Sequence, residues 1–457
     1  MPYASHSRAT FVRYQVLAFA CVLSMITYLD RACFASAATA MATDLGLAAT
    51  DVINAGTTAF LIAYSLFEVP AGWLGDRYGP RRTLLRIVLA WSLFTALTGL
   101  IGLRVGSFVF GGLGLLIALR LLFGAGEAGA YPNITRALHN WFPARQWAMA
   151  QGMVWMSGRI AGGLTPFIWA VLVAGTPDSS PLGTWRGAFL LFGFVGIVWC
   201  IAFALLFRNQ PHEDPRVNEA ERERIGTRNV HGDSHSHAIP WRAMLRSRSM
   251  LLLCLAYTCN NFGWWFHLSY LPTYMTERFS LAPTDMLAAI YKGGPLWIGA
   301  IGCLSGGLLA DWLTRTLGHR RGRRMMGTAS YAVSALCWLA ALAAPNVHIF
   351  FLLVSLGALT SDMMLGASWA TCQDIGQRNA AVVAATMNMI GGVGGILASL
   401  FTRAMVEGAK AAGDSPLVGY HDAFLGFAAA YVIASACWLA IDPTKVLVGR
   451  VTLRDPT

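Results

Sequence analysis

Tyr28-Leu29-Asp30-Arg31 lies inside an otherwise apolar run from Tyr14 to Thr43. A helix of about 20 apolar residues crosses the hydrocarbon core of a bilayer, so this run is of spanning length. On insertion scales, each full charge near the centre of such a helix costs about 2.5–3.5 kcal/mol. Two adjacent charges are tolerated when both face a polar cavity and act there. The alternative is a helix that ends near Arg31, leaving the pair at the membrane interface. Ala35-Ser36-Ala37-Ala38-Thr39-Ala40-Met41 speaks against that ending, because it carries the apolar helical pattern two turns further.

The rest of the composition agrees. Of the 457 residues, 56% are hydrophobic and 12% are charged, which excludes a set of soluble domains and points to a polytopic membrane protein. A formal net charge of +11 raises nucleic acid as a partner, but the basic residues fall in alternate short loops, as the positive-inside bias requires. No nucleic acid is therefore expected, and the lipid bilayer is. The nine cysteines are mostly isolated within apolar runs and form no C-x-x-C, so neither a disulfide frame nor a metal site is indicated. The first apolar run is too long for a cleavable signal and lacks a small-residue cleavage site, so it stays as the first span.

Spanning runs recur about twelve times: 14–42, 52–74, 83–103, 108–130, 147–174 and 187–207, then 250–276, 285–312, 325–344, 348–370, 380–406 and 423–441. Helices are the expected element, since each unpaired backbone group in lipid costs several kcal/mol. Arg104, Arg186, Arg278 and Lys410 each stand alone in one set of joints. The other set is rich, with Arg77, Arg81, Arg82 and Arg86, then Arg136 and Arg145, then Arg315, Arg320, Arg321, Arg323 and Arg324. That alternation predicts both termini in the cytoplasm of a cell membrane, the inner one in a Gram-negative bacterium. The fold class expected is an all-α membrane protein of twelve transmembrane helices in two pseudo-symmetric halves.

The halves repeat. Gly72-Trp73-Leu74-Gly75-Asp76 returns as Gly307-Leu308-Leu309-Ala310-Asp311, each followed by a basic cluster, and the same offset maps Glu127 onto Asp362. Internal duplication of this kind marks alternating-access transporters, with the site near the midplane. The expected division is a first half over 1–207, a cytoplasmic linker over 208–248 and a second half over 249–457. In the linker, Pro215 to Ile225 can form a short charged helix, and His231, His235 and His237 read as solvated chain rather than a metal tract.

Gly72-x-Leu74-Gly75-Asp76-Arg77-x-Gly79-x-Arg81-Arg82 resembles the loop motif of the major facilitator superfamily. Gly72 lets two helices approach, Asp76 caps a neighbouring helix or pairs with Arg, and Arg81 and Arg82 hold the cytoplasmic side; Arg77 and Asp311, the repeat copy of Asp76, are counted with the gate. The motif is expected to gate transport without choosing the substrate.

The fourth span holds Arg120 and Glu127, two turns apart and so on one face, about 10 Å apart along the axis. Either alone fits a structural ion pair. Together with Asp30 and Arg31 they place two acids and two guanidiniums in one half, which packing does not explain. A carboxylate that loses water in one state and meets Arg in another changes its proton affinity between states, which ties protonation to conformation.

Tyr28-Leu29-Asp30-Arg31, Arg120-x6-Glu127-Ala128-Gly129 and Trp141-Phe142-Pro143-x-Arg145 resemble the anion:cation symporter family, which includes hexonate and hexuronate permeases and sialin-type carriers. Pro211-x-Glu213-Asp214-Pro215-x-Val217-Asn218-x-Ala220-Glu221 and Leu271-Pro272-Thr273-Tyr274 extend the resemblance over nearly the whole chain. It implies that Arg31 holds a substrate carboxylate, that Asp30 and Glu127 carry protons, and that Arg120 is their partner. One departure is Arg159 in the fifth span, where sugar-acid members carry a neutral amide. A further guanidinium suits a dianion, unless Arg159 pairs with an acid such as Asp362. In the second half, Trp369 offers an apolar wall with an N–H donor and Asn388 both donor and acceptor, where the family places substrate-contacting groups. Packing accounts equally well for Trp369, and helix–helix hydrogen bonding for Asn388; Tyr64 offers a phenol O–H to the substrate or packs in the core.

The expected function is a proton-coupled symporter importing a small organic anion: a sugar acid, aldarate, dicarboxylate or aromatic acid. It is expected to act as a monomer and without a cofactor. A drug/proton antiporter and a transporter-like anion sensor are the alternatives. No nucleotide-binding loop is present, and no nucleophile–base or metal constellation lies in the spans, so an enzyme is not expected.

Overall fold

A computed structural model describes residues 8–105, 108–109, 111–174, 184–226, 238–280 and 286–447. The elements are α1 (Val12–Leu45), α2 (Ala49–Tyr78), α3 (Pro80–Thr98), a short antiparallel pair β1 (Arg104–Val105) and β2 (Phe108–Val109), α4 (Leu113–Glu127), α5 (Ala130–Trp141), α6 (Trp147–Trp169) and α7 (Trp185–Leu206). There follow α8 (Glu219–Ile225), α9 (Trp241–Arg246), α10 (Arg248–Ser269), α11 (Leu271–Phe279), α12 (Met286–Leu317), α13 (His319–Leu342), α14 (Val347–Gly376), α15 (Ala380–Ala411) and α16 (Pro416–Ala440).

Eight segments of the described chain are long and apolar enough to cross a membrane, and a ninth qualifies as a bent pair. One of the eight, Val347–Ala411, contains both α14 and α15. Two further spans, α3 and α10, fall short on composition, since Arg81, Arg82 and Arg86 crowd one and Asn260, Asn261 and His267 the other. With α4 joined to α5 and α10 to α11, the described residues form the twelve-helix frame.

Three local features depart from the simple pattern. The fourth span starts at Leu113 rather than 108, because Phe108–Val109 pairs as a strand. It also runs on past 130 to Trp141, broken at Gly129, whose φ of 82° suits glycine. Ala71 packs so closely there that a Cβ on Gly129 would meet its Cβ at 2.4 Å. In the fifth span the axis bends by 45° between Thr165 and Phe167, where Pro166 has no N–H to give the preceding turn. A single π-type turn, Ala170–Ala174, follows. In the linker the charged helix starts at Glu219 rather than Pro215, since Asn218 caps it by accepting from the Glu221 amide. His231, His235 and His237 lie outside the described residues.

The chain divides into two compact units, Met1–Pro143 with Ser157–Asp233, and Ala144–Met156 with Ser234–Thr457. The duplication seen in sequence recurs in packing. In the first unit α2 lies on α4 and α3 on α7; in the second, α12 lies on α14 and α13 on α16. Phe34, Met41, Leu116, Trp185 and Phe189 form part of the first unit's apolar core. Leu66, Phe67, Phe194, Leu336 and Leu400 are exposed on the helices, as side chains that meet lipid tails should be. The nine cysteines are all free.

Candidate functional site

Helical spacing assembles the charged centre of the first unit. On α1, Asp30 and Phe34 are one turn apart and share a face, with Arg31 beside them. On α2, Gly56, Phe60 and Tyr64 repeat every four residues, and on α4 Arg120, Phe123 and Glu127 repeat every three or four. These three stripes meet.

Arg31 Nε donates to Glu127 Oε1 at 2.7 Å, and Arg31 Nη2 lies 2.7 Å from the same oxygen. The Arg31 guanidinium lies 4.9 Å from the Tyr64 ring centroid and 5.2 Å from that of Phe60. Its side chain keeps 31% of its surface exposed, whereas that of Glu127 keeps 1%. Arg31 is thus the accessible end of a pair whose acid is sealed in.

Arg120 is held differently. Its guanidinium is caged by Phe34 at 4.2 Å, Phe123 at 4.7 Å and Phe60 at 5.1 Å, and its Nε donates to the Gly56 carbonyl at 3.3 Å. A desolvated cation over an aromatic face gains about 2 kcal/mol or more. Three rings therefore hold this cation without consuming a carboxylate. Asp30 is buried, and neither of its oxygens has a hydrogen-bond partner among the described residues. Oε2 of Glu127 is likewise buried without one. Such bare acceptors are costly in a low-dielectric interior. The two acids and two guanidiniums thus share one region of the first unit, with one acid engaged and one not.

Arg159 is buried on α6, and its Nη1 donates to the Tyr28 hydroxyl at 3.1 Å. Gly158 makes that possible: a Cβ there would meet the Tyr28 ring at 2.7 Å. Tyr28 was legible as part of the Tyr28–Arg31 motif but not as the partner of Arg159. The signal that could have found it is Gly158 with Gly162, one turn apart on the side of α6 that accepts an aromatic ring.

In the second unit Trp369 is fully buried, with its Nε1 donating to the Tyr257 hydroxyl at 3.2 Å and its ring 5.3 Å from that of Trp155. Asn388 is half-buried on α15.

The residues of the Gly72–Arg82 motif and its repeat copy sit at the basic ends of the helices. Gly72 is buried on α2. Asp76 lies 3.8 Å from Arg136 Nη1 on α5. Its repeat copy, Asp311, accepts from the Ala148 and Met149 amides at 3.3 and 2.8 Å, capping the first turn of α6 within the second unit. Asp76 thus faces a guanidinium, and Asp311 caps a helix. Arg77 stacks on Trp73 and Tyr78, each at 5.1 Å. The Arg81 backbone amide donates to Asn209 Oδ1 at 2.9 Å, and its side chain reaches the Ala204 carbonyl.

Twelve apolar helices in repeated halves, with ionised side chains packed among them, define a multi-pass membrane transport protein. The chain belongs to the Major Facilitator Superfamily, whose model matches residues 20–399. A probable sulfoacetate transporter of Cupriavidus necator, SauU, is 29% identical over 402 residues, covering 86% of this chain and 87% of that protein. A probable galactarate/D-glucarate transporter of Escherichia coli, GudP, is 27% identical over 420 residues, again covering 86% and 87%. The solved structure of the proton:xylose symporter XylE bound to 6-bromo-6-deoxy-D-glucose is 15% identical with a TM-score of 0.68, covering 95% of this chain and 96% of that one. At that identity the likeness concerns the fold. Family and relatives are transporters, so this chain is a transporter and not an enzyme.

Proposed function

We propose that this protein is a proton-coupled symporter that imports a small organic anion, with a dianion best suited to it, by alternating access. The observation that carries the reading is the Arg31–Glu127 pair beside the unpartnered carboxylate of Asp30. An incoming carboxylate competes with Glu127 for the exposed guanidinium of Arg31. A proton on Glu127 releases that guanidinium, so proton and anion load together. Asp30 is the second proton carrier, and the aromatic cage keeps Arg120 charged nearby as the fixed cation of the centre. Arg159, with Tyr28 and Tyr64 on the same unit, takes a second anionic group; Trp369 and Asn388 are the candidate substrate-contacting groups of the second unit.

Sulfoacetate, galactarate and glucarate, the substrates in the names of the two relatives above, each carry two anionic groups. That count matches two guanidiniums, Arg31 and Arg159. Two protons, one each on Asp30 and Glu127, neutralise a dianion, so its uptake follows the pH gradient alone. A monoanion moving with the same two protons carries one net charge, worth about 2.3 kcal/mol per 100 mV. In this reading the halves 1–207 and 249–457 alternate about the linker 208–248, the Arg-rich ends face the cytoplasm, and Gly72, Asp76, Arg77, Arg81 and Asp311 form the gate.

The test is uptake into proteoliposomes with external pH recorded as sulfoacetate or galactarate is added. Symport predicts alkalinisation of the medium in step with uptake, accelerated by an acid exterior. Uptake with no pH change would leave a uniporter, and proton release on addition of a lipophilic drug would favour the antiporter.

A further inference from the structure

α3 begins at the gate loop without a cap of its own. Its N-cap residue is Gly79, in the left-handed range with φ 85°, and no side chain of the loop satisfies the first amides. The acceptor comes from far along the chain: Asn209 Oδ1 takes the Arg81 amide at 2.9 Å, the bond an N-cap side chain makes to the second helical residue. Gly79 leaves room for that side chain, since a Cβ there would meet the Asn209 amide at 2.8 Å.

Asn209 is itself pinned on three sides. Its backbone N–H donates to Glu213 Oε2 at 3.0 Å. Its carbonyl accepts from Asn140 Nδ2 at 3.0 Å, and the preceding Arg208 carbonyl accepts from Trp141 Nε1 at 2.9 Å. The linker beyond is anchored as well. Arg216 reaches the Leu206 carbonyl at 2.6 Å, and the buried Glu221 accepts from the Val12 and Arg13 amides and from Arg13 Nη1 at 3.2–3.3 Å, and from Thr10 Oγ1. Residues 208–221 therefore tie the basic ends of α1, α3, α5 and α7 together within the first unit.

We propose that Asn209 is a positioning residue of the gate, fixing the Gly79–Arg81 loop through its cap on α3 and transmitting the anchorage of the linker to it. This rests on the reading of Asp76, Arg77 and Arg81 as the gate. A cap carries no charge to the substrate, so its loss slows the cycle and leaves affinity alone. Losing an N-cap acceptor corresponds to about a fivefold change in an equilibrium or rate.

The experiment compares the full-length protein with Asn209→Ala, Asn209→Asp and Arg81→Ala. It reads hydrogen exchange of the peptide over residues 79–84, and the KM and maximal rate of sulfoacetate counterflow in proteoliposomes. Asn209→Ala should speed exchange in that peptide but not elsewhere, and should lower the maximal rate about fivefold at unchanged KM. Asn209→Asp, which keeps the acceptor, should restore both. Unchanged exchange at residues 79–84, loosening spread over the whole protein, or a rate loss that Asn209→Asp does not recover would overturn the proposal. Arg81→Ala should slow the cycle similarly. If it does not, the gate reading fails, while the exchange data still judge the cap.

Discussion

Arg31 and Glu127 meet through a single oxygen. Nε and Nη2 of Arg31 both lie 2.7 Å from Glu127 Oε1, while Oε2 is buried with no hydrogen-bond partner. A fork-to-fork pair would use both oxygens and hold more tightly. The observed geometry is a contact that a competing carboxylate, or a proton on the acid, can undo. Arg31→Ala should therefore abolish anion binding. Hydrogen bonds to charged groups contribute about 1.5–3 kcal/mol each, so the loss should exceed about a hundredfold. Calorimetric titration with galactarate or sulfoacetate checks this, and unchanged affinity removes Arg31 from the site.

Arg159 bears on selectivity. Its Nη1 donates to the Tyr28 hydroxyl at 3.1 Å, a bond that orients the guanidinium on the first unit. Arg159→Gln should weaken dianions by about ten- to a hundredfold and leave monoanions such as a hexuronate little changed. Competition of dianions and monoanions in one uptake assay separates the two. Equal losses for both would mean that Arg159 supports the fold and does not select.

The two copies of the gate acid should respond differently. Asp76→Asn removes the charge that faces Arg136 at 3.8 Å, so it should slow transport without altering the order of preferred substrates. Asp311→Ala removes a helix cap and should cost about 1 kcal/mol of stability as well. Rates and melting temperatures measured on both variants test the distinction.

Asp214 gives a pH dependence outside the membrane. The hydrogen bond from the Arg216 side chain, 2.9 and 2.6 Å to its two oxygens, holds its carboxyl below the usual range. A lowered folded value stabilises fully above the unfolded pKa of about 3.9 and is lost as pH falls through the folded value. Arg216 is partly exposed, so the pair contributes less than about 1 kcal/mol. Asp214→Asn should lower the melting temperature slightly at pH 6–8, with the difference closing as the pH is taken below 4. A difference that instead widens in acid contradicts the assignment.

The helical frame was legible because charge stands out in apolar sequence. Asp30, Arg31, Arg120 and Glu127 announce themselves at helical spacing, and Gly72–Asp76 with its copy at Gly307–Asp311 reveals the duplication. The cage of Phe34, Phe60 and Phe123 was not legible, since a phenylalanine in a spanning run reads the same whether it meets lipid or a guanidinium. The Gly129 break was hidden for a related reason. Gly129 is one of 47 glycines, and what calls for glycine there is a positive φ together with the close approach of Ala71 from another helix. Asn209 and Glu221 act across more than a hundred residues of chain, on Arg81 and Arg13. Local pattern carries no trace of such bonds.

Glu127→Gln in proteoliposomes tests the central claim most directly, because it keeps the shape of the acid and removes its titration. Coupling through this residue predicts that the variant still exchanges labelled sulfoacetate or galactarate in counterflow but no longer accumulates it against a gradient under an imposed pH difference. Normal pH-driven accumulation by Glu127→Gln would contradict the account.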